Sequence, residues 1–165
     1  MEKDAFIGIG SNLGDKLQNC LKAVSLVDSV PGCRVRAQSD FFRTAPVGGD
    51  DPEWYVNGVI DVITDGSAHT LLQILLAIEA QMGRVRRKKW DSRVIDLDIL
   101  LYAQDVIQER TLKIPHPLMH MRRFVLVPMV QLAPGLVHPV LGKTMSQLLD
   151  QCPREGQDVI PVGEA

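Results

Sequence analysis

Two aspartates set into an apolar stretch are the residues of this chain best suited to chemistry. Residues 94–102 are rich in branched aliphatic side chains and contain no Gly or Pro, which predicts a β-strand. Because side chains alternate along a strand, Asp96 and Asp98 share one face and lie about 6.6 Å apart. The other face carries apolar residues: Ile95, Leu97, Ile99 and Leu101. Neighbouring carboxylates repel unless a cation lies between them, and Mg²⁺ favours one or two carboxylates together with water and phosphate oxygens.

A cluster of cations precedes this strand. Residues 84–93 hold six basic residues, one Asp and Trp90, so they carry +5, whereas the whole chain carries −2 and the rest therefore −7. Positive charge this local favours an anionic ligand over a general nucleic-acid surface. Arginine offers a planar fork to phosphate oxygens, and Trp90 offers a flat face for stacking. The dense like charge also predicts that residues 84–90 are mobile in the free protein and close over a bound polyphosphate.

The composition is that of one globular domain, residues 1–165. The chain is 45% apolar and has only three cysteines, which are widely spaced and form no Cys-x-x-Cys motif. This favours reduced thiols and a cytoplasmic location. Acidic residues near the first methionine argue against a signal peptide. The longest apolar region, residues 124–137, is short and interrupted by prolines, so no membrane partner is expected.

The order of predicted elements is β-α-β-β-α-β. The first helix opens at the capping sequence Asp15-x-x-Gln18, and the second begins at Ser67 or Thr70. One long or two short strands are expected over residues 33–44, and another over residues 54–64. This order predicts an α+β fold of the ferredoxin-like class, an antiparallel sheet with helices mainly on one face. Later elements are a core helix over residues 122–132, a short helix capped by Thr144-x-x-Gln147, and a polar, peripheral tail after Cys152.

Tyr55 and Asn57 project from one face of a predicted strand. An aromatic face beside an amide that donates and accepts hydrogen bonds suits a planar heterocycle, although a packed Tyr on an outer face has the same pattern. Upstream, the glycines of residues 8–14 resemble a dinucleotide fingerprint but have the wrong spacing. They are better explained by close approach of the backbone to a ligand or to a neighbouring element.

The string Arg93-x-x-Asp96-Leu97-Asp98-Ile99-Leu100, preceded by Gly83-Arg84-x-Arg86 and Trp90, resembles the signature of the 6-hydroxymethyl-7,8-dihydropterin pyrophosphokinases. Further stretches agree in order: Gly10-Ser11-Asn12, Phe42-Arg43-Thr44-x-Pro46, and the pair Tyr55 and Asn57. The resemblance implies a folate-pathway enzyme that moves the pyrophosphate of ATP onto the pterin hydroxymethyl group. It also implies a Mg²⁺ cofactor, as two ions, and a chain that is a monomer or weak dimer.

The resemblance implies a role for each matching residue. Asp96 and Asp98 would bind the metal and, with Arg84 and Arg93, form the catalytic set. The pterin would contact Gly10, Thr44, Ala45, Val47, Tyr55, Asn57, Trp90 and Phe124. The nucleotide would contact Glu79, Arg84, Arg86, Trp90, Arg93, Ile99, Thr111, Lys113, His116 and Arg122. From its position off the apolar stripe of its helix, Glu79 could equally be a solvated residue.

Three positions depart from the pattern of relatives: Lys89 and Thr111 stand where some carry Arg, and Ala45 stands where some carry Pro. These departures bear on affinity and loop stiffness and leave the reaction class unchanged. Three other functions fit parts of the pattern. They are a nucleic-acid-binding module that uses the basic segment, a regulatory domain that binds a small molecule without metal, and a metal-dependent phosphoester hydrolase.

Overall fold

The computed structural model describes residues 1–45, 54–83 and 94–162. Within these ranges the strands are β1 (Lys3–Ser11), β2 (Cys33–Gln38), β3 (Phe42–Thr44), β4 (Tyr55–Thr64), β5 (Asp96–Tyr102), β6 (Ile107–Gln108), β7 (Lys113–Ile114) and β8 (Val159–Pro161). The helices are α1 (Lys16–Asp28), α2 (Ala68–Gln81), α3 (Arg123–Leu132) and α4 (Met145–Gln151), with a 3₁₀ turn at Met119–Met121.

The main sheet has the strand order β5-β1-β4-β3-β8, and β2 also pairs with β4. Every pairing in it is antiparallel. β6 and β7 form a separate two-stranded antiparallel ribbon. The predicted α+β, ferredoxin-like class is confirmed, and the region between residues 33 and 44 forms two short strands.

Local sequence determines where the helices begin. The Asp15 carboxylate accepts a hydrogen bond from the Gln18 backbone N–H, and Ser67 Oγ accepts one from Thr70 N–H. Thr144 and Gln147 form a reciprocal capping box at the start of α4. Each contact satisfies a backbone donor that has no partner inside the helix, so the predicted starts are confirmed.

Apolar side chains divide between the two faces of the sheet. Residues of β1 and β4 such as Ile7 and Ile60 pack with α1 and α2, whereas Phe6 and Val59 pack with α3 and α4. Period-two alternation along the central strands therefore produces two cores, one on each face. The late helices α3 and α4 add a layer opposite α1 and α2, so the predicted placement of helices mainly on one face holds for α1 and α2 but not for the late pair. All three cysteines are buried and free, and burial raises the pKa of the Cys20 thiol to about 12.

The predicted alternation along β5 is wrong at Leu101. Phe6 pairs with Leu101 but Ile7 pairs with Ile99, so β5 carries one extra residue, Leu100. Such a bulge reverses the faces beyond it. Leu100 and Leu101 consequently both pack in the core formed with α3 and α4, while Leu97 and Ile99 pack in the other core as predicted.

The prediction of a polar, peripheral tail after Cys152 is also wrong in part. Val159–Pro161 forms β8, which pairs along the full length of β3. Its three residues have no alternating apolar pattern long enough to indicate a strand, and only the partner strand makes it one. None of the helices in the described ranges is both long enough and apolar enough to cross a membrane.

Candidate active site

One row of paired residues crosses three strands of the main sheet. Gly10 in β1 pairs with Asn57 in β4 on one side and with Asp96 in β5 on the other. Directly paired residues project from the same face, so the glycine separates an amide from a carboxylate. A Cβ atom at Gly10 would lie 2.5 Å from Asn57 Oδ1. The expectation that a glycine here allows close approach of a neighbouring element is therefore confirmed.

Asn57 is held by Thr44 on the next strand. The buried Asn57 side chain donates from Nδ2 to Thr44 Oγ1 over 2.6 Å, and Thr44 is itself buried. Thr44 pairs directly with Tyr55, so Thr44, Tyr55 and Asn57 lie on one face, as predicted for the last two. Ala45 follows Thr44 at the last described position before residue 54. The contact fixes the Asn57 amide so that its oxygen faces Gly10.

Asp96 and Asp98 project from the same face of β5. Leu97, between them, and Ile99 are buried in the opposite core, whereas Asp98 is exposed and Asp96 is half-buried. The predicted shared face is confirmed. Over the described ranges, no three His, Cys, Asp or Glu residues are grouped so that they could hold a metal ion. A pair of carboxylates still fits Mg²⁺, which keeps several waters and binds substrate phosphates with its remaining positions.

Glu79 forms a hydrogen bond to the backbone of β5. It lies on α2, is only 5% exposed, and its Oε2 accepts a hydrogen bond of 2.8 Å from the Leu97 backbone N–H. The alternative that Glu79 is a solvated residue is wrong. Among the described residues β5 is the edge strand of the sheet, so its outward N–H groups face no strand there, and the Glu79 carboxylate accepts from one of them. The bond joins α2 to the residue between Asp96 and Asp98.

Two basic side chains lie in the electrostatic field of Asp98. Burial lowers the pKa of the His116 imidazole, and the Asp98 carboxylate opposes that shift while Arg122 reinforces it. Burial likewise lowers the pKa of the Arg122 guanidinium, again opposed by Asp98. His116 Nδ1 accepts a hydrogen bond from Leu118 N–H, so the proton of the neutral ring is on Nε2. The His116 backbone N–H donates to Leu100 of β5.

Phe124 is the second residue of α3, two positions after Arg122. The Arg122 guanidinium carbon lies 5.5 Å from the centroid of the Phe124 ring, within cation–π distance. Helix α3 packs on β4, and its Val125 and Leu126 share a core with Val59. Val59 projects from the same face of β4 as Asn57. The helix therefore covers the face of the sheet on which Asn57 and the two aspartates lie.

The remaining predicted nucleotide contacts are more dispersed. The Ile99 side chain is buried in the core opposite the aspartates, so only its backbone could meet a nucleotide on their face. Thr111 and Lys113 are exposed in and beside the β6–β7 ribbon, and β7 packs on β5. Five predicted site residues lie outside the described residues: Val47, Arg84, Arg86, Trp90 and Arg93. The predicted mobile segment, residues 84–90, lies outside them too.

Sequence reasoning missed Gln157. Its Oε1 accepts a hydrogen bond of 3.0 Å from Arg123 N–H, the first backbone donor of α3. The partners are 34 residues apart. No local signal such as a capping sequence could have paired them, since the two residues meet only through the fold.

Known proteins resemble this chain over most of its length. A family model described as 7,8-dihydro-6-hydroxymethylpterin-pyrophosphokinase (HPPK) matches residues 6–134. The 2-amino-4-hydroxy-6-hydroxymethyldihydropteridine pyrophosphokinase of Methylorubrum extorquens is 41% identical over 145 residues, which are 88% of this chain and 90% of that protein. The enzyme of the same name from Pseudomonas aeruginosa is 37% identical over 161 residues, 98% of this chain and 99% of its own length.

Among solved structures, the wild-type HPPK-DHPS of Plasmodium falciparum with pteroate superposes with a TM-score of 0.73 at 13% identity. The superposition covers 92% of this chain and 44% of that chain, so this chain corresponds to less than half of that protein. At such low identity the likeness supports the fold alone. The family match, in contrast, extends from β1 into α3. It covers every described site residue named above except Gln157. The chain therefore belongs to the 7,8-dihydro-6-hydroxymethylpterin-pyrophosphokinase family.

Proposed function

We propose that this chain transfers the pyrophosphate group of ATP to 6-hydroxymethyl-7,8-dihydropterin, giving the pterin diphosphate and AMP in folate biosynthesis. The observation that carries the proposal is the row Asn57–Gly10–Asp96. Neighbouring strands are about 4.8 Å apart, so the backbones of Asn57 and Asp96 lie about 10 Å apart, with the Asn57 amide oxygen turned over Gly10 between them. A pterin ring would lie on the Asn57 side of the row and a triphosphate on the Asp96 side.

The pterin side of the row has groups that suit a flat, polar heterocycle. Asn57, held by Thr44, offers a fixed amide, and Tyr55 offers an aromatic ring beside it. We assign Phe124, at the start of the helix that covers this face, as a second aromatic contact. Gly10, Thr44, Ala45 and Val47 complete the pterin set that we propose.

The phosphate side of the row combines carboxylates and cations. We propose that Asp96 and Asp98 hold two Mg²⁺ ions, which when bound would neutralise triphosphate oxygens. Arg122, His116, Arg84 and Arg93 would contribute further donors to the phosphates. Other nucleotide contacts are proposed at Glu79, Arg86, Trp90, Ile99, Thr111 and Lys113.

The reaction itself requires positioning more than covalent participation by the protein. The pterin hydroxyl oxygen forms a bond to the β-phosphorus while the bond from that phosphorus to the α,β-bridging oxygen breaks, the hydroxyl proton is released, and AMP leaves. The chain would orient the hydroxyl in line with that bond and exclude water. We propose that it does so in the cytoplasm as a monomer or weak dimer, without a nucleic acid or membrane partner.

The decisive experiment incubates the protein with ATP and Mg²⁺, with and without reduced hydroxymethylpterin, and measures AMP. We expect AMP only when pterin is present, in a one-to-one ratio with pterin diphosphate. Asp96→Ala and Asp98→Ala should each lower turnover by about two orders of magnitude or more. Asp105→Ala, an exposed aspartate just beyond β5, is the matched control. Release of inorganic phosphate without pterin would instead indicate a hydrolase, and near-normal turnover of either variant would place the metal elsewhere.

A further inference from the structure

The C-terminal segment, residues 157–162, lies beyond the part of the chain that the family match covers. It nevertheless contacts two separate parts of the proposed pterin site. One is the end of β3, where Thr44 and Ala45 lie, and the other is the first turn of α3, which carries Arg122 and Phe124.

On the β3 side, the segment forms β8. Val159 pairs with Thr44 and Pro161 pairs with Phe42. The ladder continues at both ends, because Ala45 N–H donates to the Asp158 carbonyl over 3.1 Å and Val162 N–H donates to the Phe41 carbonyl over 3.0 Å. Ala45 is thus fixed by the C-terminal segment at the point where the chain leaves β3.

On the α3 side, the contact is a helix cap supplied from a distance. Arg122 occupies the N-cap position of α3, and its side chain makes no capping hydrogen bond to the described residues. Gln157 Oε1 instead accepts from Arg123 N–H. Gln157 is itself held, since its Nε2 donates to the Pro153 carbonyl and its backbone N–H donates to the Arg154 carbonyl.

We propose that residues 157–162 set the distance between the two sides of the pterin site, with Gln157 as a positioning residue, an inference that rests on the proposed function. Gln157 and Asp158 are adjacent, so one short stretch of backbone holds the first turn of α3 against the end of β3. Without the Gln157 oxygen, the first backbone donor of α3 loses its partner, and the turn that carries Phe124 loosens. The effect should fall on pterin binding because Thr44, Ala45 and Phe124 all belong to the proposed pterin set.

The test compares Gln157→Ala with the wild type and with Glu155→Ala, an exposed position two residues before Gln157. We expect Gln157→Ala to raise the Kd for pterin, measured with Mg²⁺ and a non-hydrolysable ATP analogue, about three- to tenfold, the scale of one lost hydrogen bond. The Kd for the ATP analogue alone should change less than the Kd for pterin, because Arg122 is the one proposed nucleotide contact next to that turn, whereas Thr44, Ala45 and Phe124 belong to the pterin set. Gln157→Glu retains the acceptor for Arg123 N–H but loses the donor to the Pro153 carbonyl, so it should restore pterin binding in part.

Amide hydrogen exchange gives a readout that does not depend on turnover. Exchange at Arg123 should accelerate in Gln157→Ala and not in Glu155→Ala, while exchange at Ala45 should accelerate only when the chain is ended after Gly156. If the wild type forms no AMP with pterin, the proposed function fails, and these exchange rates still test the contact itself. If Gln157→Ala melts at a lower temperature but binds pterin like the wild type, or loses both ligands equally, the segment has only a structural role and the positioning proposal is wrong.

Discussion

Replacing Gly10 with alanine tests the geometry of the row directly. The new Cβ would lie 2.5 Å from Asn57 Oδ1, whereas Cβ atoms in proteins essentially never approach closer than 3.0 Å, so the amide must withdraw by about 0.5 Å or more. The withdrawal strains the 2.6 Å bond from Asn57 Nδ2 to Thr44 Oγ1. Losing that bond corresponds to about 1 kcal/mol, or about fivefold in affinity.

We therefore expect Gly10→Ala to weaken pterin binding about five- to tenfold and to leave binding of the ATP analogue nearly unchanged. Gly8→Ala is the matched control, because Gly8 lies two residues earlier on the same strand face and its Cβ would meet Leu100 at 3.5 Å, an ordinary contact. Fluorescence titration with pterin, in the presence of Mg²⁺ and the analogue, measures both variants.

A double-mutant cycle identifies the cause of the effect. In an Asn57→Ala background the methyl group has no amide to displace, so Gly10→Ala should add little to the loss already caused by Asn57→Ala. Two results would refute the reasoning. One is wild-type pterin affinity in Gly10→Ala, and the other is an equal effect of Gly10→Ala in both backgrounds.

Three further predictions concern single residues. Tyr55→Ala should weaken pterin binding and spare ATP binding, because Tyr55 lies beside Asn57 away from the aspartates. An equal loss of affinity for both ligands in a folded variant would place Tyr55 in the nucleotide site or the core. Glu79→Ala leaves Leu97 N–H buried without its acceptor, so it should lower the free energy of unfolding by about 1–3 kcal/mol in urea titrations and raise the Mg²⁺ requirement. Glu79→Gln keeps an acceptor and should have smaller effects. Equal effects of the two substitutions would contradict this reasoning. Burial lowers the pKa of His138, and its Nδ1 accepts hydrogen bonds from two backbone N–H groups. The unfolded state therefore binds the proton more readily than the folded state. Stability should fall as the pH drops from 6.5, the ordinary pKa of histidine, through the lower pKa of His138 in the folded protein. His138→Asn should flatten that acid limb in pH-dependent melting, and an unchanged limb would show that another group causes it.

The parts of the fold and site that sequence could predict depend on short separations along the chain. Asp96 and Asp98 share a face because strands alternate, and Asp15, Ser67 and Thr144 cap helices through contacts three residues away. These relations require no knowledge of the tertiary structure. The resemblance to a family also depended on short local motifs, and the family match confirmed it.

The parts that sequence could not predict depend on elements that meet only in the folded chain. The extra residue at Leu100 is visible only in the register between β5 and β1, and the pattern of apolar residues alone placed Leu101 on the wrong face. β8 is a strand because β3 lies beside it. Glu79 and Leu97 are 18 residues apart, and the position of Glu79 off the apolar stripe indicated exposure rather than a buried bond.

The bond between Glu79 and Leu97 also joins the two elements that flank the cation cluster in sequence. Residues 84–93 are bounded by α2, which ends at Gln81, and by β5, which begins at Asp96. Because Glu79 holds Leu97 over 2.8 Å, both ends of the segment are tied within a short distance of the two aspartates. The two elements on either side of the basic segment are therefore joined by a hydrogen bond beside the pair of carboxylates.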